Sequence, residues 1–212
     1  MEEKIHVLIA DDHAIVRQGL KQILSETDDL VVAGEAEDGT DALQLARNQQ
    51  WDVFLLDVAM QTRNGIDTLK QLKKEFPRLP VLMLSMHPED QYAVRAIQAG
   101  AAGYMTKQSA PAELVAAIRR VARGEKYISP TLAAKLAEVI AGGDRPGLEK
   151  LSDREHEVLR LIASGKTLTQ VAGELNISVA TVSTYRARLL EKLGLGNTAE
   201  LIRYGLEHGL VE

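Results

Sequence analysis

Five short apolar runs alternate with helix-length amphipathic segments over residues 4–124, and this alternation leaves few folds open. The runs are Ile5-His6-Val7-Leu8-Ile9, Leu30-Val31-Val32-Ala33, Val53-Phe54-Leu55-Leu56, Val81-Leu82-Met83-Leu84 and Gly103-Tyr104-Met105. Between them apolar residues recur three and four apart, as at Val16, Leu20, Ile23 and Leu24, or Leu114, Ala117, Ile118 and Val121. Strands that are apolar almost throughout belong to parallel sheets covered on both faces. The pattern therefore predicts an α/β doubly wound domain with a parallel five-stranded sheet over residues 1–124.

The residues that close these runs carry the chemistry. Asp11 and Asp12 follow the first run, Asp57 the third, Ser85 the fourth and Lys107 the fifth. Ligands of an open parallel sheet bind outside the carboxyl ends of its strands, so these side chains are expected to converge. At an effective dielectric near 20, two close carboxylates repel by about 4 kcal/mol, so three of them call for a cation. Mg²⁺ takes oxygen ligands, one or two carboxylates with waters and phosphate oxygen, and matches the set. Such an ion would neutralise an incoming phosphoryl group while Asp57 attacks as nucleophile. Lys107 adds a compact positive charge and Ser85 a hydroxyl donor. An isolated Asp after a strand is usually a turn or cap residue; the conjunction in strand order is what favours a site. The chain has no cysteine, so a covalent intermediate would sit on oxygen or nitrogen.

Residues 125–147 form a linker with a helix expected over about 130–141, ending in Gly142-Gly143-Asp144-Arg145-Pro146-Gly147. Residues 148–212 lose the strand pattern. Helices are expected at about 152–164, 167–174, 178–193 and 198–208, with starts at Ser152 (Glu155 three on), Ser178 and Asn197-Thr198. This predicts a small all-α four-helix domain, whose second and third helices stand at helix-turn-helix spacing. On the third, Val182, Leu189 and Leu193 face the core, leaving Ala180, Thr181, Ser183, Thr184, Ala187 and Arg188 toward a partner, with Tyr185 and Arg186 flanking. From Gly147 to Glu212 eight Lys and Arg oppose nine Asp and Glu, and the whole chain has a net charge of -5, so phosphate contacts should be few. No apolar stretch reaches a membrane span and the first residues lack a signal-peptide pattern, which predicts a cytoplasmic protein that does not engage the membrane.

Ile9-Ala10-Asp11-Asp12-His13, Asp57-Val58-Ala59-Met60 with Gly65, Ser85, and Gly103-Tyr104-Met105-Thr106-Lys107 resemble the motifs of a two-component receiver domain, a flavodoxin-like fold. The resemblance implies Asp57 as phosphoacceptor, with Asp12 and Asp57 as direct Mg²⁺ ligands, Asp11 through water and Ala59 through its backbone carbonyl. It makes Tyr104 a switch aromatic that turns inward as Ser85 approaches the phosphoryl group. The run from Leu151 to Leu210, with Ser152-Asp153-Arg154-Glu155, Gly165, Val171 to Ser178, Thr181-Val182 and Glu191-Lys192-Leu193-Gly194, resembles a LuxR-type helix-turn-helix domain. Together they resemble a NarL/FixJ-type response regulator. That implies a sensor histidine kinase as phosphodonor, double-stranded promoter DNA as ligand, a homodimer when phosphorylated, RNA polymerase as a further partner, and no enzymatic turnover beyond self-phosphorylation and self-dephosphorylation. The chain departs from the usual pattern at Gln61 and Gln108, where many receivers have proline, and at Ala180 and Ser183, where the family often has lysine. Three other readings remain open on the residues. A haloacid-dehalogenase hydrolase would need an acid where Ala59 stands, and a small-molecule receptor would need an aromatic-lined cavity from a chain that is 4% aromatic. A protein-binding bundle would use the third helix of the all-α domain as one more packed helix.

Overall fold

The computed structural model describes residues 4–60, 64–86, 89–141, 148 and 151–211. The chain divides into two compact units, Met1–Ile140 and Ala141–Glu212.

In the first unit β1 (Ile5–Ala10), α1 (Ala14–Ser25), β2 (Leu30–Ala36), α2 (Gly39–Asn48), β3 (Val53–Asp57), α3 (Gly65–Glu75), β4 (Val81–Ser85), α4 (Glu89–Gln98), β5 (Gly103–Thr106) and α5 (Pro111–Ala122) alternate as the apolar runs predict. The strands pair in parallel in the order β2-β1-β3-β4-β5. Successive residues of a strand point to opposite faces, so each apolar run feeds two cores. Leu8, Phe54, Leu56, Met83 and Tyr104 pack beneath α2, α3 and α4. Val7, Ile9, Leu55, Leu84 and Met105 pack beneath α1 and α5.

Strand β2 runs to Ala36, three residues past the apolar run. Its register with β1 slips between Val7 and Leu8, which leaves Ala33 without a partner and lets pairing resume at Gly34. A Cβ on Gly34 would fall 2.5 Å from the Trp51 indole, so glycine is what allows the ring to lie across the strand.

The chain after α5 stays with this unit. The Tyr127 N–H donates to the Ala102 carbonyl (2.9 Å), and Tyr127 bridges Gly103 in parallel, extending the β5 edge. Lys126 Nζ donates to the Ala101 carbonyl at 2.7 Å. Helix α6 (Pro130–Ala141) follows, with Leu132 fully buried in the core that holds Tyr104 and with Ile128 and Leu136 packed against it. The glycine-rich run 142–147 and Gln61 lie outside the described residues.

The second unit contains α7 (Asp153–Ala163), α8 (Leu168–Glu174), α9 (Val179–Leu193) and α10 (Thr198–Glu207) around Val158, Leu159, Ile162, Val171, Val182, Leu189 and Leu201. Ser152 and Glu155 form a capping box at α7, Thr167 and Gln170 another at α8, and Ser178 and Asn197 cap α9 and α10. The turn between α8 and α9 places Asn176 in the left-handed region (φ 51°), which Asn tolerates better than most residues. Gly205 lets α10 close on α7, since a Cβ there would meet the Ala163 Cβ at 2.3 Å.

Candidate phosphoryl site and nucleic-acid interface

The order β2-β1-β3 reverses direction between β1 and β3, and that switch point is where a crevice opens at the carboxyl edge. Asp11 and Asp12 leave β1 there, and Asp57 is the last residue of β3 beside them. Ser85 ends β4 and pairs with Thr106, so Lys107 emerges next to it; the Lys107 N–H donates to the Ser85 carbonyl at 2.7 Å. Asp11, Asp57 and Ser85 are buried, while Asp12 sits at the rim.

Lys107 Nζ lies 2.6 Å from Asp11 Oδ2 and 3.0 Å from Asp57 Oδ1. One ammonium against three carboxylates leaves the pocket negative. Neither oxygen of Asp57 accepts a well-directed hydrogen bond, although both are shielded from solvent. Burial pushes the Asp57 carboxyl above the ordinary range; Lys107 opposes this, Asp11 adds to it, and the Ala59 N–H opposes it further. Ligand atoms of Asp11, Asp12, His13 and Asp57 lie within 4.8 Å of one another. Buried, under-coordinated carboxylate oxygens at that spacing fit a hard divalent cation.

Two neighbours complete the site: Gly65, quoted above only as part of the acceptor-loop motif, and Arg17, which the sequence reading missed. Gly65 opens α3 against the main chain of the site: a Cβ there would stand 1.9 Å from the Asp57 carbonyl, so only glycine permits the approach. Arg17, on α1, is buried. Its Nη1 donates to the Asp11 carbonyl (2.8 Å), its Nη2 to Glu37 (2.7 Å), and its Nε faces Glu35 at 3.5 Å. It ties the end of β2 to the loop that carries the acidic pair. The available signal was a lone arginine on the apolar face of α1, three residues before Leu20 and seven before Leu24.

Tyr104 is fully buried in the α4-side core. Ala59 is exposed and has no side chain to offer the pocket; Gln108 stands after Lys107 without displacing it.

In the second unit Ala180, Thr181, Ser183, Thr184, Ala187 and Arg188 are exposed along α9, with Val179 (44% exposed) at its start. Tyr185 and Arg186 are half-buried, and Arg186 Nε donates to Thr198 Oγ1 at 2.6 Å, turning this cation toward the start of α10. On α10 Leu201 is core while Leu206 is 53% exposed, so that helix serves the domain and also leaves an apolar edge.

The family model of the response regulator receiver domain matches residues 7–119, and that of the luxR family of bacterial regulatory proteins matches residues 149–205. The response regulator GacA of Pseudomonas aeruginosa is 38% identical over 211 residues, 98% of each chain. The chain is a response regulator of the LuxR type. UvrY of Escherichia coli, another response regulator, is 34% identical over 208 residues, covering 97% of this chain and 95% of its own. Among solved structures, RcsB of Salmonella enterica serovar Typhimurium, bound to promoter DNA with a phosphomimetic beryllofluoride, aligns with a TM-score of 0.61 at 31% identity, over 95% of this regulator and 98% of RcsB. The regulator thus joins a phosphorylation-dependent receiver to a DNA-binding output domain. None of its described helices is long and apolar enough to cross a membrane.

Proposed function

We propose that Asp57 accepts a phosphoryl group from the phosphohistidine of a sensor kinase, and that this controls homodimeric binding of promoter DNA through α9. The observation that carries the reading is the buried Asp57 with Lys107 at 3.0 Å and Asp11 and Asp12 beside it. Mg²⁺ would be held by Asp12, Asp57 and the Ala59 carbonyl, with Asp11 acting through water, and when bound would neutralise charge on the phosphoryl oxygens. An oxygen of Asp57 attacks phosphorus, the phosphorus–nitrogen bond breaks with its electron pair going to nitrogen, and the histidine, protonated on its other ring nitrogen, leaves as neutral imidazole. Lys107 moves with the new oxygens, and the Ser85 hydroxyl donates to one of them while Tyr104 fills the space behind it. Exposed Ile15 on α1 (87% exposed) offers the kinase an apolar contact next to the pocket. On the DNA side Arg188 reaches a phosphate, Ala180, Thr181, Ser183, Thr184 and Ala187 face the major groove, and Tyr185 and Arg186 support them. RNA polymerase is the downstream partner, and the setting is the cytoplasm.

The test uses the full chain, Mg²⁺ and acetyl phosphate, with borohydride trapping of the acyl phosphate and peptide mapping. Modification confined to the peptide holding Asp57, and absent from Asp57→Asn, is the expected result. Equal labelling of the variant would refute the assignment.

A further inference from the structure

We infer that α9 reads its DNA through thymine methyl groups, so that the regulator selects half-sites with A·T pairs at their core and not guanine runs. The inference rests on the proposal that α9 lies in the major groove, and it concerns which base edges the helix can recognise there.

A recognition helix reads base edges mainly with its N-terminal half. Guanine is recognised by a two-donor fork from Arg or Lys aimed at O6 and N7. From Val179 to Ala187 the only cation is Arg186, and its Nε is engaged by Thr198 at 2.6 Å. The threonine hydroxyls are also drawn inward. Thr184 Oγ1 donates to the Ala180 carbonyl at 3.1 Å, and Thr181 Oγ1 pairs with Ser178 Oγ at 2.8 Å in the cap. Ser183 keeps an exposed hydroxyl, but a hydroxyl pairs with bases of either kind and so picks out neither. The other exposed groups of this half are carbon: Val179, the Cβ atoms of Ala180 and Ala187, and the γ-methyl of Thr184. In the major groove the one apolar feature that marks a base is the C5-methyl of thymine, and Ala and Thr methyls are its natural contacts. Val179 fits the same role. An exposed valine at the first position of a well-capped helix adds nothing to the core of its own domain, and contact with an apolar base substituent accounts for it.

The experiment starts with selection from random duplex DNA using full-length protein treated with beryllofluoride. Thymines in the enriched site are then replaced one at a time by deoxyuridine, which removes the methyl and keeps every hydrogen-bonding group. Each half-site thymine under α9 should lose about fourfold in affinity, the factor that corresponds to about 0.8 kcal/mol per buried methyl. Replacing the same T·A pair with 5-methylcytosine·G should retain more affinity than unmethylated C·G. Val179→Ser, an exposed change that leaves the core intact, should weaken the parent site and shrink the deoxyuridine penalty at one position. Deoxyuridine sites bound as tightly as thymine sites, or an enriched site whose affinity falls mainly when guanine N7 is removed, would overturn the inference while leaving DNA binding in place. Failure to enrich any sequence would instead remove the DNA-binding reading, and this one with it.

Discussion

At Asp57 two demands conflict. To take the proposed part in metal binding and attack on phosphorus its carboxylate would have to be ionised, yet burial and the Asp11 charge raise the cost of ionisation and Lys107 offsets only part of it. The folded domain therefore carries electrostatic strain when no cation is present. Asp57→Asn in EDTA at neutral pH should be more stable than the parent by about 1 kcal/mol, or roughly 3–5 °C in Tm for a domain of this size, and Mg²⁺ should raise the parent's Tm more than the variant's. Calorimetry with and without Mg²⁺ decides this, and a less stable variant in EDTA would contradict it. Arg17 faces the opposite side of the acidic pair and holds the Asp11 carbonyl while itself held by Glu37. Partners that orient metal ligands without touching the ion are typically worth about 10–100-fold in affinity. Arg17→Met should weaken Mg²⁺ binding by about tenfold, as read by titration of pocket resonances in NMR, with Arg17→Lys recovering part of the loss. Unchanged Mg²⁺ affinity in a folded Arg17→Met would reduce Arg17 to a structural tie.

At the scale of elements, the sheet and the converging site were legible because both follow from period. Alternating burial splits each apolar run between two faces, and parallel strands bring all their carboxyl ends to one edge, so Asp11, Asp57, Ser85 and Lys107 meet for topological reasons. Side-chain direction was not legible. Arg17 turning inward, Arg186 turning to Thr198 and Thr184 bonding back to Ala180 depend on rotamers that spacing does not encode. The docking of α6 was also hidden, because Ile128, Leu132 and Leu136 look like any amphipathic stripe until β5 offers its free edge to Tyr127. Leu132→Ala should cost about 2–4 kcal/mol in the stability of the first unit, the usual penalty for a buried leucine. A chain ended at residue 124 should melt below one ended at residue 140, and equal melting would show that α6 only rests on the surface. In the second unit Glu155 anchors α7. Desolvation pushes its carboxyl up, but Lys192 at 2.6 Å and the Ser152 N–H and hydroxyl outweigh this and hold it below the ordinary range. A depressed carboxyl stabilises the fold above the unfolded-state pKa, about 4.3, and that stabilisation drains away as pH falls through the lower folded value. Protection factors for amide exchange in the first turn of α7 should therefore fall on acidification below about pH 4.3, and Glu155→Gln should flatten the dependence.

For the whole molecule, charge decides how control is exerted. The cations of the second unit are largely occupied internally: Lys166 by Glu174, Lys192 by Glu155, Arg154 by Glu157, and Arg186 by Thr198. If Arg188 of each protomer supplies the phosphate contact, a dimer neutralises about two phosphates, and log K should fall with log salt at a slope of about -1.8, far shallower than that of strongly basic repressors. One unit alone then binds weakly. Joining two units converts the second encounter into an intramolecular one at millimolar effective concentration, a gain of about 10²–10⁴ with no new contact to DNA. Control of dimerisation is therefore sufficient to control promoter occupancy, and the receiver need not alter α9 itself. Acetyl phosphate should tighten binding to an inverted repeat by about a hundredfold or more, yet change affinity for a duplex with a single half-site by less than about threefold. Fluorescence anisotropy on the two duplexes, run on the parent and on Asp57→Asn, separates the possibilities. A large gain on the single half-site would mean that phosphorylation unmasks α9, and an equal response in Asp57→Asn would detach the output from the phosphoryl site altogether.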